Sequence, residues 1–143
     1  MKLEELMVDT KAAWIEFPGC PGFEVKVANL ARKELVALRK RCVHTKFDRK
    51  TRQPEEVLDE QKFISEFSRA TIKGWKGLKL KYLEDLLLVD LSGKDVDTEL
   101  EYDESQAEIL VSNSTEFDTW VNEVVFDLGN FRRGAERTAV GAD

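Results

Sequence analysis

The sequence predicts an α+β fold, mainly helical, with an N-terminal β-hairpin followed by four or five helices in one compact domain. Three observations carry that expectation. Aromatic and β-branched residues flank a Pro/Gly turn near the N-terminus, apolar residues then recur at a 3.6-residue period in several separate windows, and cap or terminator residues punctuate those windows. A chain of 143 residues suits a single domain, expected over residues 1–131. Residues 132–143, RRGAERTAVGAD, are small, polar and aperiodic, and predict a disordered tail.

The hairpin is read from residues 14–17 and 23–28. In the second run Phe23, Val25 and Val27 alternate with Glu24 and Lys26, the pattern of a half-buried strand. Between the runs lies PGCPG, where proline fixes φ and glycine permits positive φ, so the chain reverses. Asn29 is placed to cap a helix in which Ala31, Leu35, Leu38 and Cys42 form one stripe. Residues 46–54, KFDRKTRQP, carry charge and turn formers without an apolar period, and predict a loop or short hairpin.

The next helix starts either at Pro54, with Glu55 and Glu56 in its first turn, or at a cap on Asp59; its stripe is Phe63, Phe67 and Ala70. Gly74 stands where helices commonly end in a left-handed residue. Residues 80–87 resume as a short apolar helix, and residues 90–104 form a long acidic connection. Within it Val96, Leu100 and Tyr102 alternate with acids, which predicts a strand-like segment with those three inward. Asp103, with Gln106 three positions on, opens a further helix. The last window is the clearest. Phe117, Trp120, Val121, Val124, Val125 and Leu128 share one helical face, with Ser114 or Thr115 as cap and Gly129 as terminator.

Charge is divided. Residues 1–83 carry 18 basic and 12 acidic side chains, and residues 84–127 carry one basic and 14 acidic. Such a division serves a nucleic-acid face, a basic partner for the acidic half, self-association of subunits through unlike faces, or simply a solvated surface. The N-terminus lacks the apolar core of a signal peptide, and no apolar run approaches the roughly 20 residues that cross a bilayer, so no membrane partner and a cytosolic chain are expected.

No catalytic constellation, cofactor site or metal site is indicated, and the chain reads as a non-enzyme. With one histidine and two cysteines at no ligand spacing, a Cys/His zinc site cannot be assembled. Cys42 lies on an apolar stripe, away from any orienting third group for a Cys42–His44 pair. Acids 95–104 lack the glycine and terminal glutamate of a calcium loop, and Gly93–Lys94 lacks the flanking residues of a phosphate loop.

GWKG, residues 74–77, admits two readings. As a GXXG loop between two helices, with seven basic residues and one acid over residues 39–52, it resembles the backbone clamp of a KH domain, and a small nucleic-acid-binding regulator is the alternative function. The acidic half opposes phosphate, and little strand is legible after residue 90, which makes nucleic acid the less favoured partner. As a structural corner, Gly74 ends one helix at positive φ, Trp75 turns inward, and Gly77 lets the chain re-enter the next helix, with Lys76 and Lys79 outside.

Four segments taken in order, GFEVKVANLARKELVALRKRC, KFDRKTRQP, GWKGLKLKYLEDLL and NSTEFDTWVNEVVFDLGNF, resemble the tail assembly chaperones of long-tailed bacteriophages over roughly residues 12–131. The resemblance implies a non-enzymatic protein of the infected host cytoplasm, absent from the mature virion. Such a protein binds the tape-measure protein and helps recruit tail-tube protein, and many members also have a longer frameshifted form. A chaperone of a helical client needs apolar grooves framed by solubilising charge. The last helix is the expected contact element, with Phe117, Trp120, Val121, Val124 and Val125 as candidate partner-binding residues and Trp120 or Val125 at an edge.

Overall fold

The turn at residues 18–22 closes as its composition dictates. Phe17 N–H donates to the Phe23 carbonyl at 2.9 Å, while Gly19 and Gly22 adopt φ of 87° and 85°. A computed structural model of the chain describes residues 1–8 and 11–132. After a four-residue helix α1 (Leu3–Leu6) with no buried residue, strands β1 (Ala12–Glu16) and β2 (Glu24–Ala28) pair antiparallel. Ala13 sits opposite Val27 and Ile15 opposite Val25, all four buried. The other face carries Trp14 opposite Lys26.

Asn29 does not cap the next helix. Its Oδ1 accepts from Lys11 N–H at 2.7 Å and its own N–H donates to the Lys11 carbonyl, which closes the end of the hairpin. Helix α2 (Arg32–Arg41) starts instead after Ala31, whose N–H donates to Glu34 Oε1 at 3.2 Å. Leu38 and Cys42 are buried and Leu35 partly so, but Ala31 is exposed, so the stripe is narrower than its spacing suggested.

The expected order of an N-terminal hairpin followed only by helices is overturned here, because strands interleave with helices. Residues 43–58 form a second hairpin, β3 (Val43–Asp48) and β4 (Gln53–Leu58), in a two-stranded sheet of its own. Asp48 Oδ1 accepts from Lys50 N–H at 2.8 Å, and Arg52 takes φ of 56° to turn the chain. Pro54 is tolerated because β4 is an edge strand. Helix α3 (Glu60–Thr71) then starts at Asp59, whose Oδ1 accepts from Lys62 N–H at 3.1 Å.

Gly74 ends no helix. Helix α3 stops at Thr71, whose hydroxyl donates back to the Phe67 carbonyl at 2.7 Å, and the chain runs straight into strand β5 (Ile72–Lys76). Strand β5 pairs antiparallel with β2, setting Trp75 opposite Val25 and Gly74 opposite Lys26, which gives a three-stranded sheet of order β1-β2-β5. Gly74 therefore lacks the positive φ of a helix-terminating residue, whereas Gly77 has φ of 73°.

Helix α4 (Leu80–Leu86) follows. The acidic connection is not a strand: beside an isolated bridge between Lys79 and Glu99, it is held by Leu80 N–H to the Thr98 carbonyl at 2.9 Å, Lys81 N–H to the Val96 carbonyl at 3.0 Å and Leu100 N–H to the Leu78 carbonyl at 2.8 Å. Leu100 and Tyr102 pack on the core, but Val96 is 40% exposed, because isolated turns replace the alternation that a ladder would impose.

Asp103 caps α5 (Glu104–Asn113) by accepting from Gln106 N–H at 2.7 Å, and Ser114 caps α6 (Thr115–Phe126) by accepting from Phe117 N–H at 3.1 Å. The final helix stops two residues before Leu128. A short 3₁₀ turn, Leu128–Phe131, leaves Leu128 64% exposed and buries Phe131 in its place. Gly129 is not a left-handed terminator; its N–H instead donates to Asp127 Oδ1 at 3.0 Å. The expected tail falls, Arg132 apart, outside the described residues.

The core lies between the inner face of the three-stranded sheet and helices α3, α5 and α6. Its centre is aromatic. The rings of Phe17 and Trp120 meet edge-on at 5.0 Å, and Phe117 stacks on Phe17 at 5.9 Å and on Phe23 at 6.5 Å, the offset and edge arrangements that aromatic quadrupoles favour.

Candidate functional site

Gly74, Trp75 and Gly77 form a strand end and a corner rather than a loop between two helices. Trp75 is buried, donates its indole N–H to the Leu100 carbonyl at 2.9 Å and meets Tyr102 edge-on at 5.2 Å. No ring face is left there for a base to stack on. Lys76 Nζ lies 3.9 Å from a Glu24 carboxylate oxygen and 4.6 Å from the centre of the Trp14 ring, so it is committed to the outer face of the sheet. Gly77 presses against Gly22, and Tyr82 Oη donates to the Pro21 carbonyl at 2.6 Å. The corner thus clamps the first turn of the chain.

Phe117, Trp120, Val121, Val124 and Val125 are all buried, including the two candidates for an exposed edge, Trp120 at 8% and Val125 at 1% exposure. They share one face because Ser114 sets the start of the helix and the 3.6-residue period does the rest. Their surroundings nonetheless open to solvent on two sides. On one, a groove of about 310 Å³ is floored by Phe17, Pro18 and Trp120 and rimmed by Glu116, Thr119 and Glu123. On the other, a groove of about 210 Å³ runs between α3, α5 and α6, lined by Phe63, Ile64, Phe67 and Val111 with Asp118 and Asn122 at its side. Phe126, 44% exposed, lies 6.3 Å from Phe67.

Burial raises the Asp118 carboxyl above the ordinary aspartate value, and the hydrogen bond from Asn122 Nδ2 to its Oδ1 at 3.1 Å acts the other way. Among the described residues Asp118 forms no ion pair. Burial, reinforced by the charges of Asp85 and Glu116, likewise raises the Cys20 thiol, which makes it a packing residue rather than a nucleophile. Among the described residues no group of three or more His, Cys, Asp or Glu is arranged to hold a metal, and no helix is long and apolar enough to cross a membrane.

Comparison with family models, curated proteins and solved structures finds no match. The functional reading therefore rests on the segment resemblance and on the surface itself.

Several surface residues escaped the sequence reading. Phe47 on β3 is 61% exposed, Leu88 is fully exposed, and Ile109 is 51% exposed beside Leu88 in a groove of about 360 Å³. A signal for Leu88 existed: Leu86, Leu87, Leu88 and Val89 are consecutive, and four successive side chains cannot all face one core. No comparable signal marked Phe47, because neither face of its hairpin is buried.

Proposed function

We propose that the chain is a tail assembly chaperone of a long-tailed phage, a non-enzymatic host-cytoplasmic protein absent from the mature virion. It keeps the tape-measure protein soluble and helps recruit tail-tube protein. The observation that supports this reading most directly is the pair of shallow apolar grooves on the two sides of α6, with Glu116 and Glu123 rimming one and Asp118 beside the other. An amphipathic client helix seats apolar side chains spaced at i, i+3, i+4 and i+7 in such grooves and places basic residues against the acids. Two short grooves suit many successive segments of a long helical client better than one deep pocket would. The contact is then made beside the buried stripe of α6 rather than by the stripe itself.

Co-expression with the tape-measure protein encoded by the same phage is the test. The expected result is a soluble complex that survives gel filtration, weakened by Glu116→Lys with Glu123→Lys and, separately, by Phe126→Asp. A client that is equally insoluble with and without this chain would refute the proposal.

A further inference from the structure

Strand β1 pairs on one side only. In an antiparallel ladder, residues that exchange both hydrogen bonds alternate with residues that exchange none. Phe17 N–H donates to the Phe23 carbonyl and Asn29 N–H to the Lys11 carbonyl, each at 2.9 Å, so the bonded positions between them are Ala13 with Val27 and Ile15 with Val25. Ala12, Trp14 and Glu16 therefore point their N–H and C=O groups away from β2. Among the described residues no hydrogen bond reaches any of these groups. Ala12 is exposed and Trp14 and Glu16 are half-buried, so the edge is open to solvent.

The opposite edge of the same sheet is covered. Along β5, Tyr102 Oη donates to the Ile72 carbonyl at 3.1 Å, Gly77 N–H to Glu99 Oε1 at 3.2 Å and the Trp75 indole to the Leu100 carbonyl. The β3–β4 hairpin carries Lys46, Pro54 and Glu55 on its strands, residues that discourage strand addition. Strand β1 has no proline, no lysine and no bulge against β2. Its single charge, Glu16, is turned back to accept from Gly22 N–H at 3.2 Å.

At the start of this edge lies an apolar groove of about 310 Å³, lined by Val8, Leu128 and Phe131 together with Lys11 and Asn29. Lys11 and Asn29 share the register of Ala13 and Val27, and the 3₁₀ turn lies against β1, so the groove sits on the inner side of the edge. A strand added to β1 would turn alternate side chains to that side and find room for one of them there.

We propose that β1 is a strand-addition site. An extended segment of another protein, alternating apolar and polar residues, pairs its backbone with Ala12, Trp14 and Glu16 and seats an apolar side chain against Val8, Leu128 and Phe131. Main-chain hydrogen bonds supply the affinity and the groove supplies the preference. The edge of β1 is separate from the α6 grooves, so the inference stands or falls independently of the helical client.

Amide hydrogen exchange of the full chain, read residue by residue by NMR, tests it with the peptide acetyl-Thr-Val-Thr-Leu-Thr-Val-Thr-amide. In the chain alone, the amides of Ala13, Ile15 and Phe17 should be protected and those of Ala12, Trp14 and Glu16 should exchange freely. Titration with the peptide should protect the second set. With the valines and leucine turned inward, the threonines carry the N–H groups that face β1. N-methylation of the two central threonines should abolish binding, and N-methylation of the two valines should leave it intact.

Ala12→Pro removes an outward donor and no bond to β2, as an edge position tolerates, and should lose binding. Leu128→Asp changes an exposed side chain and should weaken binding with an unchanged circular dichroism spectrum. Protection of Ala12, Trp14 and Glu16 in the dilute chain alone would show that the edge is already covered and overturns the proposal. Protection that grows with protein concentration without peptide would mean that copies pair with each other, and also overturns it. So does a peptide that leaves exchange unchanged, or equal binding of the two methylated peptides, which would show that side chains alone hold it.

Discussion

Gly77 lies against the carbonyl of Gly22, so close that a Cβ on Gly77 would collide with the Gly22 oxygen. The contact joins the corner after β5 to the turn between β1 and β2, and the φ of 73° at Gly77 adds a second reason for glycine. Gly74 is different, since a Cβ there would meet Lys26 and Trp14 at an ordinary 3.8 Å. Gly77→Ala is therefore expected to destabilise by at least about 2 kcal/mol and Gly74→Ala to stay within about 1 kcal/mol of the parent. Urea denaturation of both variants checks this; equal costs at the two glycines would contradict it.

Trp75 combines burial, the edge-on contact with Tyr102 and the hydrogen bond to the Leu100 carbonyl. Trp75→Ala is expected to cost about 3–5 kcal/mol. Trp75→Phe keeps most of the apolar volume but leaves the Leu100 carbonyl without its donor, at a cost of about 1–3 kcal/mol. A Trp75→Ala chain as stable as the parent would show that the acidic connection is not pinned through this ring.

The raised Asp118 carboxyl gives a pH dependence of definite sign. The folded state holds the Asp118 proton more tightly than the unfolded state, so this group's contribution is most favourable at low pH. It declines as pH rises from the ordinary aspartate value through the raised folded value. Asp118→Asn keeps a hydrogen-bonding partner for Asn122 and removes the titration. Thermal melts of the two proteins should diverge as pH rises through that window, the variant being the more stable above it. Parallel curves would show that water already solvates the carboxylate.

Cys20 and Cys42 are each 2% exposed. Both thiols should resist an aromatic disulfide reagent in the native protein and react fully in denaturant, and the shielding of Cys20 is reinforced by a pKa raised through burial. Rapid native labelling of either would mean that the sheet and the helices separate readily.

How much of this was legible in the sequence depended on whether the local signal was unambiguous. The PGCPG turn, the caps at Asp103 and Ser114 and the inward face of α6 follow from rules that tertiary packing did not contest. Strand β5 was hidden because Gly74 imitates a helix terminator and IKGWK is too short to show a period. The β3–β4 hairpin was half-visible as a turn; its strands show no alternation because no face of it is buried. For the site, the spacing of Phe117 through Val125 located an apolar face but could not say that Trp120 floors a groove between Glu116 and Glu123. That depends on Phe17 and Pro18, about a hundred positions away in the chain.

The sheet order has a consequence for how the chain is made. Strand β2 sits at the centre, paired with β1 across a five-residue turn but with β5 only after α2, the second hairpin and α3 have been synthesised. The local pair closes on the timescale of a hairpin, roughly microseconds, whereas the second edge of β2 stays open until Lys76 has emerged. During that interval Val25 and Val27 present an unpaired strand edge, the kind of template on which nascent chains stick to one another. Lys26 and Glu24 on the opposite face of β2, joined by the basic stretch that follows, keep charge beside that edge while it waits. A nascent chain arrested before Lys76 should therefore aggregate more readily than one released after it, and translation speed through α3 sets how long the exposure lasts.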